Sequence, residues 1–395
     1  MNYILFDDQT RLSLMPFTFT RPVAEIRLGI MTIREKWEKY LGQQLSHHTE
    51  HFLAEKFPVH IEQDNILING AVLPDEKLLA EIHALKPGEK ISGEGFLIAW
   101  RIPGEALKST TTLQSPDISG AKKNTSALKL NYCWDIFTMN EKALGDDFNL
   151  LTRGKKSLPV SSTNQVINPE NIFIEAGAKV ECSMLNASTG YIYIGKDAEV
   201  MEGAMIRGPF SLGDHAQLKM GAKIYGATTI GPYCRIGGEV NNSVILGYSN
   251  KAHDGFLGNS VIGEWCNLGA DSNNSNLKNN YSQVKMWNYR EEDFINTGLT
   301  FCGLMMGDHS KCSINTMFNT GTMVGVSANI FGTGFPPKLV PSFSWGGSDG
   351  FQTYRFEEAV EVAGRVYERR SMVFGPEDQK ILKHLFDTSV QFRSW

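Results

Sequence analysis

His253 is the residue of this 395-residue chain best suited to chemistry, and it lies in the polar stretch Ser249-Asn250-Lys251-Ala252-His253-Asp254-Gly255-Phe256-Leu257-Gly258. An imidazole titrates near neutrality, so it can take a proton from an ammonium group and leave a nucleophilic amine. An isolated His is more often a solvated surface residue, and the context Lys-Ala-His is what lifts this one out of that class. A second group of candidates lies near the start: Arg11, Arg21, Glu25 and Arg27. They either line a phosphate or sugar site, or Pro22 merely starts a helix and the charges form its solvated face. Asp135 is either a metal-binding carboxylate or a helix N-terminal acid favoured by the macrodipole. A zinc site of facing histidines would have to use His215, His253 and His309, which lack a close pair, and no Cys-x-x-Cys occurs among the six cysteines, so no metal site is expected.

The elements that position His253 are repeats. An aliphatic residue returns every six positions at Ile194, Val200, Ile206, Leu212, Leu218, Ile224, Ile230 and Ile236. Ile174 and Val180 open the pattern. Neither a helix (period 3.6) nor a half-buried strand (period 2) gives this spacing. A parallel β-solenoid does, with one short strand and one turn per repeat and three repeats per coil. A slip after Ile236 moves the expected inward register to Val244, Asn250, Phe256, Ile262 and Leu268. An insertion, 271–299, follows, and the period resumes at Thr300, Met306, Cys312, Phe318, Val324 and Ile330. His253 therefore falls where the regularity fails.

Before the solenoid, Asn2-Tyr3-Ile4-Leu5-Phe6-Asp7-Asp8 reads as a buried strand ending in two acids. Residues 22–41 and 74–85 read as helices, 65–69 and 95–102 as strands, 109–124 as a surface excursion and 132–151 as a helix. Strands alternating with helices predict an α/β layer with a parallel sheet. After the solenoid, 354–372 and 376–388 read as amphipathic helices that cap its open end. Arg369-Arg370 reads as a helix C-terminal charge pair. The expected domains are 1–160, 165–334 and 335–395. A net charge of −5 gives no electrostatic reason to expect nucleic acid as a partner. No basic segment followed by an apolar run opens the chain, and no stretch is long enough to span a bilayer, so a cytoplasmic protein is expected.

Three segments carry a family resemblance. Thr229-Ile230-Gly231-Pro232-Tyr233-Cys234-Arg235, then Lys251-Ala252-His253 with Phe256-Leu257-Gly258, then Ile262-Gly263-Glu264-Trp265-Cys266-Asn267-Leu268-Gly269-Ala270 are similar to segments of hexapeptide acyltransferases with a left-handed parallel β-helix. More narrowly, they resemble the bifunctional N-acetylglucosamine-1-phosphate uridyltransferase/glucosamine-1-phosphate N-acetyltransferase (GlmU) family, in a divergent, shortened form of the kind found in Bacteroidetes. The resemblance implies an α/β nucleotidyltransferase-like domain, a left-handed β-helix and a helical C-terminal extension. It implies His253 as general base, with Arg235, Glu239, Phe256 and Asn267 holding an amino-sugar phosphate. Acetyl-CoA would lie along main-chain N–H groups at Gly269, Ala270, Gly307 and Ser327. The first domain would use UTP and Mg2+ with Arg11, Arg21 and Glu25, although the Gly-rich phosphate loop of nucleotidyltransferases is missing from 7–20. A homotrimer is implied. Two departures stand out: the family's second Arg is Gly237 here, and its substrate Lys is replaced by Asn242, so Lys251, Lys223, Lys278 or Arg207 would have to supply the missing cation.

Overall fold

The computed structural model describes every residue except 109–112, 114, 115 and 125, so part of the excursion expected over 109–124 lies outside the described residues. The chain divides into two units, residues 1–26 with 31–132, and residues 27–30 with 133–395. The division falls at 132/133. The reason is the helix Asn140–Thr152, whose Leu144 and Phe148 pack with Phe173 and Tyr193 of the solenoid.

In the first unit, Asn2–Phe6 lies between Ser46–His48 and Asp64–Asn69 and is parallel to both. Leu97–Pro103 then pairs antiparallel with Asp64–Asn69, so the sheet is mixed rather than wholly parallel. The helix expected over 22–41 is shorter, Ile33–Leu41. Pro22 is extended at ψ 157, and Thr32 forms a capping box with Glu35 that starts the helix afresh. Ile4, Phe6, Leu67, Leu97 and Ile102 form the core beneath the sheet.

The second unit is a three-sided parallel β-helix. The first side has nine strands, from Ile172–Ile174 to Leu339–Val340. The second runs from Lys179–Val180 to Ser344–Gly347 and ends in an antiparallel strand, Gly350–Thr353. The third begins at Gln165–Ile167, runs to Phe256–Gly258, and continues in the pair Asn273–Asn274 and Met317–Phe318. Inward aliphatic side chains stack coil on coil into one core, as the hexapeptide period predicts.

The register after Ile236 differs from the expected one. Leu212 faces Ile230, eighteen residues on, but Ile230 faces Ile245, fifteen on, and Ile236 faces Lys251. The inward residues are Ile245, Lys251 and Leu257 rather than Val244, Asn250 and Phe256. Two of the missing residues come from the corner between the second and third sides, which is only Gly237-Gly238 where the preceding coil spends 219–222, and one from the step Val240 to Ile245, which is a residue shorter than Ile224 to Ile230. A side chain at Gly237 would stand 2.4 Å from the Ala252 carbonyl, and Gly238 has φ +71, so only glycine fits this turn. The coil also runs further than expected before the insertion, since Asn273-Asn274 still forms the third side, and it resumes at Leu304–Met306 rather than Thr300.

The last coil is closed by the hairpin 344–353, whose Phe351 packs on the solenoid core. The two C-terminal helices, Phe356–Glu368 and Pro376–Thr388, lie along the edge between the first and second sides. Phe386 meets Phe343 there at 5.0 Å, and Tyr367 stacks on Trp265 at 3.9 Å.

Candidate active site

His253 stands at the corner between the second and third sides, exposed, in the turn after Asn250–Lys251. The paired strands set its neighbours. On the second side Arg235 pairs with Asn250, and Asn250 with Asn267, which puts three polar side chains in one outward column. On the third side Glu239 pairs with Phe256. The four residues that resemblance assigns to the substrate thus flank the His253 corner from its two sides. Arg235 and Asn267 are exposed, while Glu239 and Phe256 are half-buried. Glu239 accepts a hydrogen bond from the Tyr225 hydroxyl at 2.5 Å, and that bond, with burial, pushes the Tyr225 phenol up to about 12.

Lys251 is different. Its side chain points into the solenoid, where the neighbouring coils place Ile236 and Leu268, and the residue is 2 % exposed. Its ammonium donates to the carbonyls of Gly237 at 3.2 Å and His253 at 2.9 Å. Burial pushes it down to about 8, with Asp254 pulling the other way. Direct contact with a ligand, expected from its position beside His253, is therefore corrected: Lys251 ties two stacked corners together from within.

The four main-chain positions expected along one groove do not meet. Gly269 and Ala270 follow Asn267–Leu268 on the His253 corner, one coil on. Gly307 and Ser327 belong to the opposite edge, between the first and second sides, and both are buried. That edge carries a run of left-handed residues with stacked rings: His215, Tyr233, Tyr248 and Trp265, with centroids 4.3–5.2 Å apart. Tyr367 and Phe374 of the C-terminal region cover its His309 end. Of the expected acyl-donor positions, only Gly269 and Ala270 remain beside His253.

In the first unit Arg11, Arg21 and Glu25 are buried or nearly so. Arg11 donates to the Thr18 carbonyl at 2.6 Å and lies 3.9 Å from Asp7. Burial alone would raise the Glu25 carboxyl, but hydrogen bonds from His47 and Arg34 outweigh it and hold it at about 2. Arg11 and Glu25 are internal ties rather than the lining of an open phosphate site, and Arg21 is buried with them. Arg27 falls in the second unit and donates to the Leu246 carbonyl. Sequence reasoning passed over a tighter cluster at the carboxyl ends of Asn2–Phe6 and Asp64–Asn69. Asp8 there accepts from Lys129 at 2.8 Å, from the Thr10 amide at 2.9 Å and from Asn69 at 2.8 Å. Its bonds are filled from within, so the cluster ties the two strand ends together. Asp135 opens the short helix Asp135–Thr138, the bland alternative of its two readings. Among the described residues no three His, Cys, Asp or Glu side chains gather as a metal site.

A groove of about 930 Å3 runs along the lower coils of the third side. Met184, Met205, Lys223, Tyr225 and Glu239 are among its lining residues, and Glu239 belongs also to the His253 corner. No described helix is long and apolar enough to cross a membrane.

Residues 3–156 match the family described as sugar nucleotidyl transferase. No curated protein matches the chain in a sequence search. Among solved structures, it is similar to a mutant form of AntD, an N-acyltransferase from Bacillus cereus, crystallised with dTDP and coenzyme A. Identity there is 10 %, over 54 % of this chain and 88 % of that one, with a TM-score of 0.23. It is similar to an Arabidopsis UDP-N-acetylglucosamine acyltransferase at 14 % identity, over 60 % of this chain and 98 % of that one, with a TM-score of 0.19. The polySia-specific acetyltransferase NeuO gives 12 % identity over 53 % and 77 %, with a TM-score of 0.15. The match over 3–156 marks the first region as nucleotidyltransferase-like, of the transferase class, and a three-sided parallel β-helix with C-terminal helices follows it.

Proposed function

We propose that the chain transfers an acetyl group from acetyl-CoA to the amine of an amino-sugar phosphate at the His253 corner. The nucleotidyltransferase-like region then serves the same product class, a UDP-N-acetylglucosamine-like nucleotide sugar. The observation that carries this reading is the juxtaposition at one corner of an exposed imidazole, a polar column of Arg235, Asn250 and Asn267, and a carboxylate at Glu239.

The residues act as follows. His253 removes the proton from the sugar ammonium, freeing the nitrogen lone pair. Lys251 fixes the main chain of the turn by its bond to the His253 carbonyl, so the imidazole keeps its place relative to the column. Glu239 accepts hydrogen bonds from sugar hydroxyls, Asn267 accepts or donates them, and Arg235 meets the phosphate. Acetyl-CoA, when bound, would supply the thioester beside Gly269 and Ala270; the C–N bond would form as the C–S bond breaks, and the thiolate would take up a proton and leave as free CoA. The third side, where Ile167 is 52 % exposed, Met184 49 % and Met205 41 %, supports self-association, with a trimer as the proposed state and the cytoplasm as the compartment. The test is release of free thiol from acetyl-CoA in the presence of a panel of amino-sugar phosphates. Release that depends on both substrates supports the reading, and none with any acceptor sinks it.

A second reading is favoured by the family match over 3–156: a sugar-1-phosphate nucleotidyltransferase in which the β-helix only assembles copies. It predicts pyrophosphate release from UTP or another nucleoside triphosphate, with Mg2+, without any thiol release.

A further inference from the structure

Arg370 follows the helix Phe356–Glu368, and three aromatic contacts hold that end against the β-helix. Tyr367 is buried and stacks on Trp265 at 3.9 Å; Phe374 meets Tyr367 at 5.2 Å and His309 at 6.0 Å. From this anchor Arg370 reaches the second side and donates to Asn250 Oδ1 at 3.2 Å. Asn250 is the strand neighbour of both Arg235 and Asn267, and neighbouring strands lie about 4.8 Å apart. Two guanidinium groups thus stand beside one another on the face next to His253.

Neither is neutralised. Among the described residues no carboxylate pairs with Arg235 or Arg370, and Arg370 spends one of its five donors on Asn250 while Arg235 spends none. Burial lowers Arg370 from the usual guanidinium range, and Arg235 adds to that by repulsion. Two like charges brought together cost energy that a bound anion would repay. The missing second cation has a steric cause as well. Position 237, where the resembling family carries an arginine, cannot hold a side chain here because the Ala252 carbonyl fills the space.

We infer that Arg370, carried by the C-terminal helix, joins Arg235 over Asn250 to form the phosphate-binding site for a phosphorylated sugar on the second side of the β-helix. The inference rests on the reading of the His253 corner as the acceptor site. The planar forks of two arginines suit a phosphate monoester, whose three oxygens take several charge-assisted hydrogen bonds. The C-terminal extension is then part of the site rather than only a cover for the edge.

The test is calorimetric binding of glucose 1-phosphate and of methyl glucoside to the full chain. Wild type should bind the phosphate at least about tenfold more tightly than the glucoside, and Arg370→Met and Arg235→Met should each remove about tenfold or more of that preference. Arg370→Gln keeps a donor for Asn250 but not the charge, so it separates the two roles. The inference expects it to lose phosphate binding like Met, with an unchanged melting temperature. Wild-type affinity in Arg370→Gln, or no preference for the phosphate in wild type, overturns it. Thiol release from acetyl-CoA fails or stands independently. Arginine-dependent phosphate binding without any acyl transfer would keep this site and discard the acyltransferase reading. Acyl transfer with no arginine-dependent binding would do the reverse.

Discussion

Asp8 with Lys129 in the first unit, and Arg235 with Arg370 in the second, are both close pairs of charged side chains, and they behave oppositely. Asp8 and Lys129 have opposite signs, each side chain is 8 % exposed, and Thr10 and Asn69 take up further bonding capacity of the carboxylate. Arg235 and Arg370 have the same sign, lie on an outer face, and leave most of their donors unused. A buried pair with its bonding filled holds a fold together. A like-signed pair on an outer face, Arg235 exposed and Arg370 half-buried, with most donors open, suits an anionic ligand. The distinction separates structural from chemical charge more sharply than residue type does, since arginines and acids occur in both places.

The comparison breaks if charges in the first unit prove dispensable. Lys129→Met leaves the Asp8 carboxylate buried without its counter-ion, and we expect a loss of about 3–5 kcal/mol in urea unfolding at pH 7. A loss below about 1 kcal/mol would show the pair to be a solvated one. Glu25→Gln should cost less, about 3 kcal/mol at pH 7. The Glu25 carboxyl is held at about 2 in the folded chain, below its ordinary value. Its contribution is therefore fully present above the ordinary carboxylate range and is lost as the pH falls toward 2. Stability curves of wild type and variant should converge in that acid window, and parallel curves would refute the assignment.

Lys251 sharpens the comparison from the other side, since it is a buried charge in the solenoid. Its folded value of about 8 lies below the ordinary lysine value of 10.5, so the unfolded chain binds the extra proton between them. Wild-type stability should therefore rise from pH 8 to 10.5 relative to Lys251→Met. At pH 7 the variant should be more stable by about 1–2 kcal/mol, because lost carbonyl bonds offset part of the relieved burial. Its kcat for acyl transfer should fall while KM holds, since Lys251 positions the His253 turn and does not touch the acceptor. Equal pH profiles in thermal unfolding would remove Lys251 from this role.

Much of the solenoid was legible because a six-residue period admits few architectures, and Ile194 through Ile236 all point inward as expected. Legibility stopped at Gly237-Gly238. A two-residue corner leaves no mark in a pattern of aliphatic positions, and the next inward residue is a lysine, which no hydrophobic count selects. The period alone therefore points Asn250 and Phe256 inward, whereas they are the outward lining of the corner. In the first unit Pro22 suggested a helix that Thr32 in fact begins, because a capping box outranks the preceding apolar spacing. Arg370 was out of reach for another reason. Its partner Asn250 is 120 residues earlier, and the aromatic anchor of Tyr367 and Phe374 brings the two together.

As the proposed base of acyl transfer at the β-helix corner, His253 should be indispensable to turnover. The direct measurement is acceptor-dependent thiol release from acetyl-CoA by wild type and His253→Ala at matched concentration and folding. The variant should show a fall of about 10²–10⁴-fold in kcat. Equal rates in the two proteins would contradict it.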